Sequence, residues 1–381
     1  MTLSVRRLAF SFLASLTSVL LIASPASWAD DILDDGGFLP LNLAASPPYF
    51  IGVRTNTIEL PEPGELSDGG EDVFATNAVE PDVADLYAPF IPGWLLPRYT
   101  KALPIVVVLQ GANVDKEQYS ILGKRLARLG MIAVIPNSFR TFPFPLGTVL
   151  FSDVQVLPRA IAAVASEAAD PDSPIYGIVD TDTVGAVGHS LGGSAVLYAT
   201  AGVCIGGLCE GCPNPPLGET GELCPTLFTR PEGLKAVAVY GTNLALPSPP
   251  APPPPEYSVI PLPYDGSIPI AFLAGSLDGI STPGETDATY DTVPPVKSLV
   301  KIIDTNHYGI IKENNPEGAQ PDLSAPGLPQ SWGANQIAQA IAVWLRWHLT
   351  DDPLAEYWYT NVRSSLDGVV EVVDLNLGDA P

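Results

Sequence analysis

The segment AVGHSLGGSAV, residues 186–196, sets a serine among small residues. Gly188, Ser190 and Gly192 fit the pattern G-x-S-x-G, in which a serine hydroxyl is presented on a sharp turn between a strand and a helix. A serine hydroxyl is a weak nucleophile until a base takes its proton. The chain has three histidines to supply one: His189, His307 and His348. His189 adjoins the serine, so its side chain projects elsewhere. His348 falls in a helical pattern on the face of Ile341, Trp344 and Leu345 and reads as a packed residue. His307, in DTNHYGI just past the last strand-like run, is left as the base. Such an imidazole is oriented by a carboxylate. Asp278, in FLAGSLDGISTP, follows a strand-like run between Ser190 and His307 and is the first candidate; Asp304 and Asp287 are the alternatives. Attack on a carbonyl creates an oxyanion that needs two N–H donors. Leu191, directly after the serine, offers one, and Ala112, behind Gly111 in LQGAN, offers the other.

Positioning these groups requires a rigid scaffold, and its rhythm is visible. Residues 52–60 and 82–89 alternate and predict two antiparallel strands. The continuous β-branched run IVVVL at 105–109 predicts a strand buried on both faces. A helix carrying Tyr119, Leu122, Leu126 and Leu129 follows, then a strand at 131–135. A long aromatic loop leads to a helix carrying Val156, Leu157, Ile161 and Val164. Strands are predicted at 183–188, 234–241, 268–275 and 298–304, and a last amphipathic helix at 332–349. Strands alternating with helices predict a mostly parallel α/β sheet, with helices on both faces and the early antiparallel strands at one edge. Ligands of such sheets bind beyond the carboxyl ends of the strands. The aromatic loop at 137–151 emerges there, so Phe139, Phe142, Phe144 and Phe151 are candidate substrate contacts. The proline-rich segment at 245–263 emerges at the same end and predicts a stiff rim.

Residues 52–359 resemble the α/β-hydrolase superfamily, and within it the chlorophyllase, dienelactone hydrolase and cutinase-like polyester hydrolase relatives. The resemblance is carried by VVVLQGANVDKEQYSILGKRLARLGMIAVIPN, VGHSLGGSAVLYA, AGSLDGISTP and TNHYGI, in that order, and by the helix ending WLRWHLTDDPLAEYW. It implies an α/β-hydrolase fold over 52–360, a triad of Ser190, Asp278 and His307, and carboxylic ester hydrolysis through an acyl-serine with no cofactor and no metal. The chain departs from these relatives at Gln110-Gly111, where they often carry His-Gly or Pro-Gly.

The ends and the charge set the context. Arg6 and Arg7, an apolar run and the small residues Ser27 and Ala29 predict a secretory signal peptide over residues 1–29, cleaved before Asp30; the paired arginines also allow the twin-arginine route. Residues 30–51 read as an irregular arm and 361–381 as a C-terminal tail. Loss of the signal takes the formal charge from −24 to −26, because it removes two arginines and no acid. Such a surface repels nucleic acid and anionic membranes. No stretch of the mature chain is apolar enough to span a bilayer. The acidic loop with Asp68, Glu71 and Asp72 matches no calcium-loop spacing and reads as solvated. Cys204, Cys209, Cys212 and Cys224 predict disulfides in an exported protein; their C-x4-C-x2-C spacing leaves a metal or cluster as the alternative. They follow the helix after Ser190 and so belong to the far end of the sheet. The combined expectation is an exported serine hydrolase of a small-molecule, lipid or polymer ester, with an apolar or acyl-chain substrate. An acyltransferase using the same triad and a non-catalytic binding protein on this scaffold are the alternatives.

Overall fold

A computed structural model of the chain describes residues 52–62, 82–91, 102–142, 147–203, 228–245, 257–260, 262–362 and 370–378. The signal segment, the arm, the acidic loop, all four cysteines, Phe144 and most of the proline-rich segment lie outside the described residues, as does the side chain of Phe142.

Eleven strands are described: β1 (Val53–Glu59), β2 (Val83–Pro89), β3 (Leu103–Leu109), β4 (Ile132–Asn137), β5 (Phe139–Phe142), β6 (Gly147–Leu150), β7 (Val179–His189), β8 (Leu234–Tyr240), β9 (Ile270–Gly275), β10 (Lys297–Ile302) and β11 (Val370–Asn376). Between them lie helices α1 (Ser120–Arg128), α2 (Val156–Ala169), α3 (Leu191–Ala201), α4 (Pro283–Thr292), α5 (Gln330–Thr350) and α6 (Pro353–Tyr357). Nine strands form one mixed sheet in the order β1-β2-β4-β3-β7-β8-β9-β10-β11. The strands from β4 to β10 in that order run parallel. β1, β2 and β11 pair antiparallel at the two edges.

The fully buried run in β3 divides by alternation. Ile105, Val107 and Leu109 face the layer of α2 and α3, while Val106 and Val108 face α1 and α5. Period-two alternation with both faces apolar is what a central parallel strand needs. The order reverses at β3: β4 lies on one side of it and β7 on the other. Loops leaving β3 and β7 diverge there and open a crevice at the carboxyl ends.

Three regions depart from the sequence reading. The aromatic loop contains a hairpin, β5 with β6. α4 went unseen, although Thr282 and Glu285 form a reciprocal capping box at its start, which is a sequence-level start signal. Residues 361–381 are not only a tail: β11 pairs with β10 and extends the sheet, with a register shift at Leu299/Val300. Its alternation is broken there, and an edge strand needs little apolar content.

Trp344 on α5 is fully buried against the sheet, and its indole N–H donates to Val237 O at 2.9 Å. Trp344→Ala is expected to lower stability by about 3–5 kcal/mol, from lost burial and the cavity left behind. Urea unfolding measures it, and a loss under about 1 kcal/mol contradicts the packing described.

Candidate active site

Ser190 stands between β7 and α3 with φ 53° and ψ −126°. A non-glycine residue holds such a backbone only where its surroundings over-determine it. Here the Ser190 N–H donates to Tyr240 O at 3.0 Å. Its carbonyl accepts from the Gly193 N–H at 2.9 Å and from Thr242 Oγ1 at 3.0 Å. The flanking glycines are needed for space. A Cβ on Gly188 would lie 2.3 Å from Gly193 Cα, and one on Gly192 would lie 2.4 Å from Leu109 O.

His307 and Asp278 are brought together, both almost wholly buried. His307 Nδ1 lies 2.9 Å from Asp278 Oδ2 and 3.1 Å from Oδ1. Asp278 Oδ1 also accepts from the amides of Ile280 (2.9 Å) and Ser281 (2.8 Å). A carboxylate so placed makes Nδ1 the donor and leaves the Nε2 lone pair free to take a proton. The pair abuts the strand end that also holds Ser190. A Cβ on Gly241 would lie 3.0 Å from both Asp278 Oδ2 and His307 Nδ1, while the preceding carbonyl, of Tyr240, accepts from Ser190. Among the described residues no hydrogen bond joins Ser190 Oγ to His307, a looseness common in unliganded sites. Asp304 is exposed in a turn and Asp287 pairs with Lys301 at 2.8 Å, so neither alternative acid meets the imidazole.

Neither of the two amides singled out for an oxyanion has an acceptor among the described residues. Gly111 N–H donates to Tyr119 Oη at 2.8 Å and Asn113 N–H to Leu150 O at 2.9 Å. Between them, the Ala112 N–H has no acceptor among the described residues. Leu191 is the first residue of α3, where an N–H has no intrahelical acceptor. Gly111 is required by proximity: a Cβ there would lie 3.2 Å from Ser190 Cβ and 2.9 Å from His189 Nδ1. The Gln110 side chain turns away, fully buried. Its amide N donates to Pro136 O and to Ser152 Oγ, and its carbonyl accepts from the Ser138 N–H. It therefore anchors the loop from behind.

The aromatic hairpin docks on this loop, because Leu150 N–H donates to Asn113 Oδ1 at 3.2 Å. Phe139, opposite Leu150 in the hairpin, is 38% exposed and available to a ligand, whereas Phe151 is packed into the core. The proline-rich segment is closed at its base by a bridge between Ala245 and Val259. His348 is packed as expected, between Trp344 and Trp347, and burial lowers its pKa to about 4.

Sequence reasoning missed three groups here. His189 is buried with both ring nitrogens engaged, and burial, with His307 beside it, holds its pKa well below the usual value. Tyr119, read as a helix-face residue, is the partner of both Gly111 and His189. Asp322 accepts from the amides of His307 (2.9 Å) and Gly279 (3.1 Å) with Oδ2 and from Ser324 (2.8 Å) with Oδ1. It thus clamps the loop of His307 to the loop of Asp278. Its bond to Ser324, two residues on, is a local turn, but no spacing rule announces its bonds to the His307 and Gly279 amides, which folding brings near.

No protein-family model matches the chain and no curated protein matches it. Among the described residues no group of three or more His, Cys, Asp or Glu converges to hold a metal, and no helix is long and apolar enough to cross a membrane.

Asp322→Ala strands the buried His307 amide and removes the acceptor of the less buried Gly279 and Ser324 amides. It is expected to cost about 1–3 kcal/mol and to speed hydrogen exchange at the His307 and Gly279 amides. Unchanged exchange at both sites would show that the clamp is not made in solution.

Proposed function

We propose that the protein is a serine hydrolase of carboxylic esters, built on an α/β-hydrolase fold. One observation carries the reading. The buried Asp278–His307 pair abuts the same strand end that holds Ser190 in its strained turn, with two free amides on the adjoining loops. The placement of serine, acid and base after β7, β9 and β10, in that chain order, supports the fold assignment.

In this reading Ser190 Oγ attacks the ester carbonyl carbon and its proton passes to His307 Nε2. Asp278 fixes the ring and stabilises the imidazolium that forms. The negative charge gathers on the former carbonyl oxygen, which the Ala112 and Leu191 amides receive. Collapse breaks the bond to the alcohol oxygen, which leaves with the proton from Nε2. Water then adds to the acyl-serine by the same route: His307 takes its proton, and returns one to Ser190 as the acid leaves. Exposed Leu191 and Phe139 favour an apolar or acyl-chain substrate. The strongly acidic surface disfavours anionic ones. The same reading takes residues 1–29 as an export signal, which the N-terminal sequence of the secreted protein tests.

Ser190→Ala is expected to reduce turnover of short p-nitrophenyl esters by about 10⁴-fold or more. Labelling by a fluorophosphonate is expected to vanish in Ser190→Ala and to drop sharply in His307→Ala. Wild-type protein that neither turns over such esters nor takes the label would overturn the assignment.

A further inference from the structure

Outside the groups assigned to the reaction, one buried polar chain crosses the site. Gly111 N–H meets Tyr119 Oη at 2.8 Å, Tyr119 Oη meets His189 Nδ1 at 2.8 Å, and His189 Nε2 meets His307 O at 3.0 Å. Tyr119 and His189 are fully buried and His307 nearly so. The direction of each bond follows from the ends. A backbone N–H only donates, so Tyr119 Oη accepts from Gly111 and its own proton must go to His189 Nδ1. A backbone carbonyl only accepts, so His189 Nε2 must carry a proton for His307 O. One protonation pattern satisfies all three contacts and also gives the Tyr119 proton an acceptor: neutral His189 with its proton on Nε2. The other neutral form would set a lone pair against a carbonyl oxygen and leave the Tyr119 proton without a partner in a dry interior.

The chain ends on the two loops whose registration matters most. Gly111 precedes the free Ala112 amide, and His307 carries the base. His189 lies beside Ser190, between them. We propose that His189 is a positioning residue, whose neutral imidazole holds the oxyanion loop and the base loop in register on either side of Ser190. The proposal rests on the hydrolase reading for its consequence and on geometry for the link itself. The groups that face the ring are Tyr119, Tyr240, Tyr308 and His307, with ring centroids at 5.9, 6.0, 6.1 and 4.9 Å. None of the four is an anion that would draw a second proton onto His189. Proximity to His307 matters in turnover, when that ring becomes cationic: a charged His189 would oppose it, and a neutral one does not. Burial, which holds the His189 pKa well below the usual range, acts in the same direction.

Two measurements test this. With three histidines in the chain, ¹⁵N resonances of labelled protein separate them. His189 is expected to show the Nε2–H neutral form, unchanged from about pH 5 to 9. Titration in that range, or a proton on Nδ1, overturns the link whether or not the protein is an esterase. The second uses Tyr119→Phe, which keeps the ring and removes the hydroxyl. The Gly111 amide should lose protection from hydrogen exchange. The kcat should fall at least about tenfold with KM held within about twofold, and the Ki of a trifluoromethyl ketone, a mimic of the tetrahedral state, should rise by the same factor as kcat/KM falls. A folded Tyr119→Phe with kcat unchanged, or with KM rising in proportion to the loss, would overturn the positioning role. If Tyr119→Phe does not fold, His189→Gln, which keeps a donor toward His307 O, is read by the same ratio of kcat to KM. Wild-type protein with no ester turnover would instead defeat the hydrolase reading, and the resonances would still decide the link.

Discussion

The site depends on how closely backbone can approach backbone at the start of α3. Glycines stand where α3 meets the ends of β3 and β7 and the loop after β8. A Cβ on Gly193 would fall 1.8 Å from Thr242 Oγ1, closer than any packing tolerates. Because the helix sits this deep, the turn before it must be sharp, and Ser190 takes a backbone conformation that side chains rarely adopt. The strain is held by hydrogen bonds from both sides of the turn, to Tyr240 and from Thr242. Loosening that contact would release the serine, its neighbouring amide and the bridge through His189 together.

Around this contact, polar groups are buried only with partners. Asp278, Asp322, Gln110, Tyr119 and His189 are all withdrawn from water, and each is bonded to backbone or to another polar side chain. Leaving one such group unpaired costs more than a made bond returns, so the loops are locked to one another as a set. Four loops that are remote in sequence, after β3, β7, β9 and β10, meet through such bonds. A rigid sheet supplies the coarse placement and these bonds supply the fine one.

The acidic chain also distributes its few bases with care. Arg159 meets Asp82 at 2.7 Å in a nearly buried pair, and Asp82 accepts as well from Ser138 Oγ and the Phe139 N–H. That cluster joins β2 at the edge to the start of the aromatic hairpin. Arg346 bonds Asp352, which caps α6, and also the Leu129 carbonyl after α1. Buried pairs of this kind give little net stability, but breaking one leaves a stranded charge. They act as registration points between layers, while the exposed surface carries the uncompensated negative charge.

Much of this was legible in sequence. The β-branched run of β3, the amphipathic spacing of α1 and α5 and the G-x-S-x-G turn each express a local periodicity or a local steric need. Such signals survive without tertiary context. The reading of His307 over His189 rested on adjacency, and the pairing of Asp278 with His307 was anticipated from order along the strands. Other features depended on folding. β11 has weak alternation because an edge strand is paired on one side only, and α4 announced itself only by its cap. Asp278 prevailed over Asp304 and Asp287 because loop geometry, not spacing, brings its carboxylate to the imidazole. The bonds from Asp322 to the His307 and Gly279 amides, and the path from Gly111 through Tyr119 and His189 to His307, had no sequence signature, since folding alone brings their partners together. Sequence determined which reactive side chains were present and on what kind of element. Tertiary structure decided which atoms meet, because a donor withdrawn from water is stabilised only by an acceptor within reach, and the fold sets which acceptor that is.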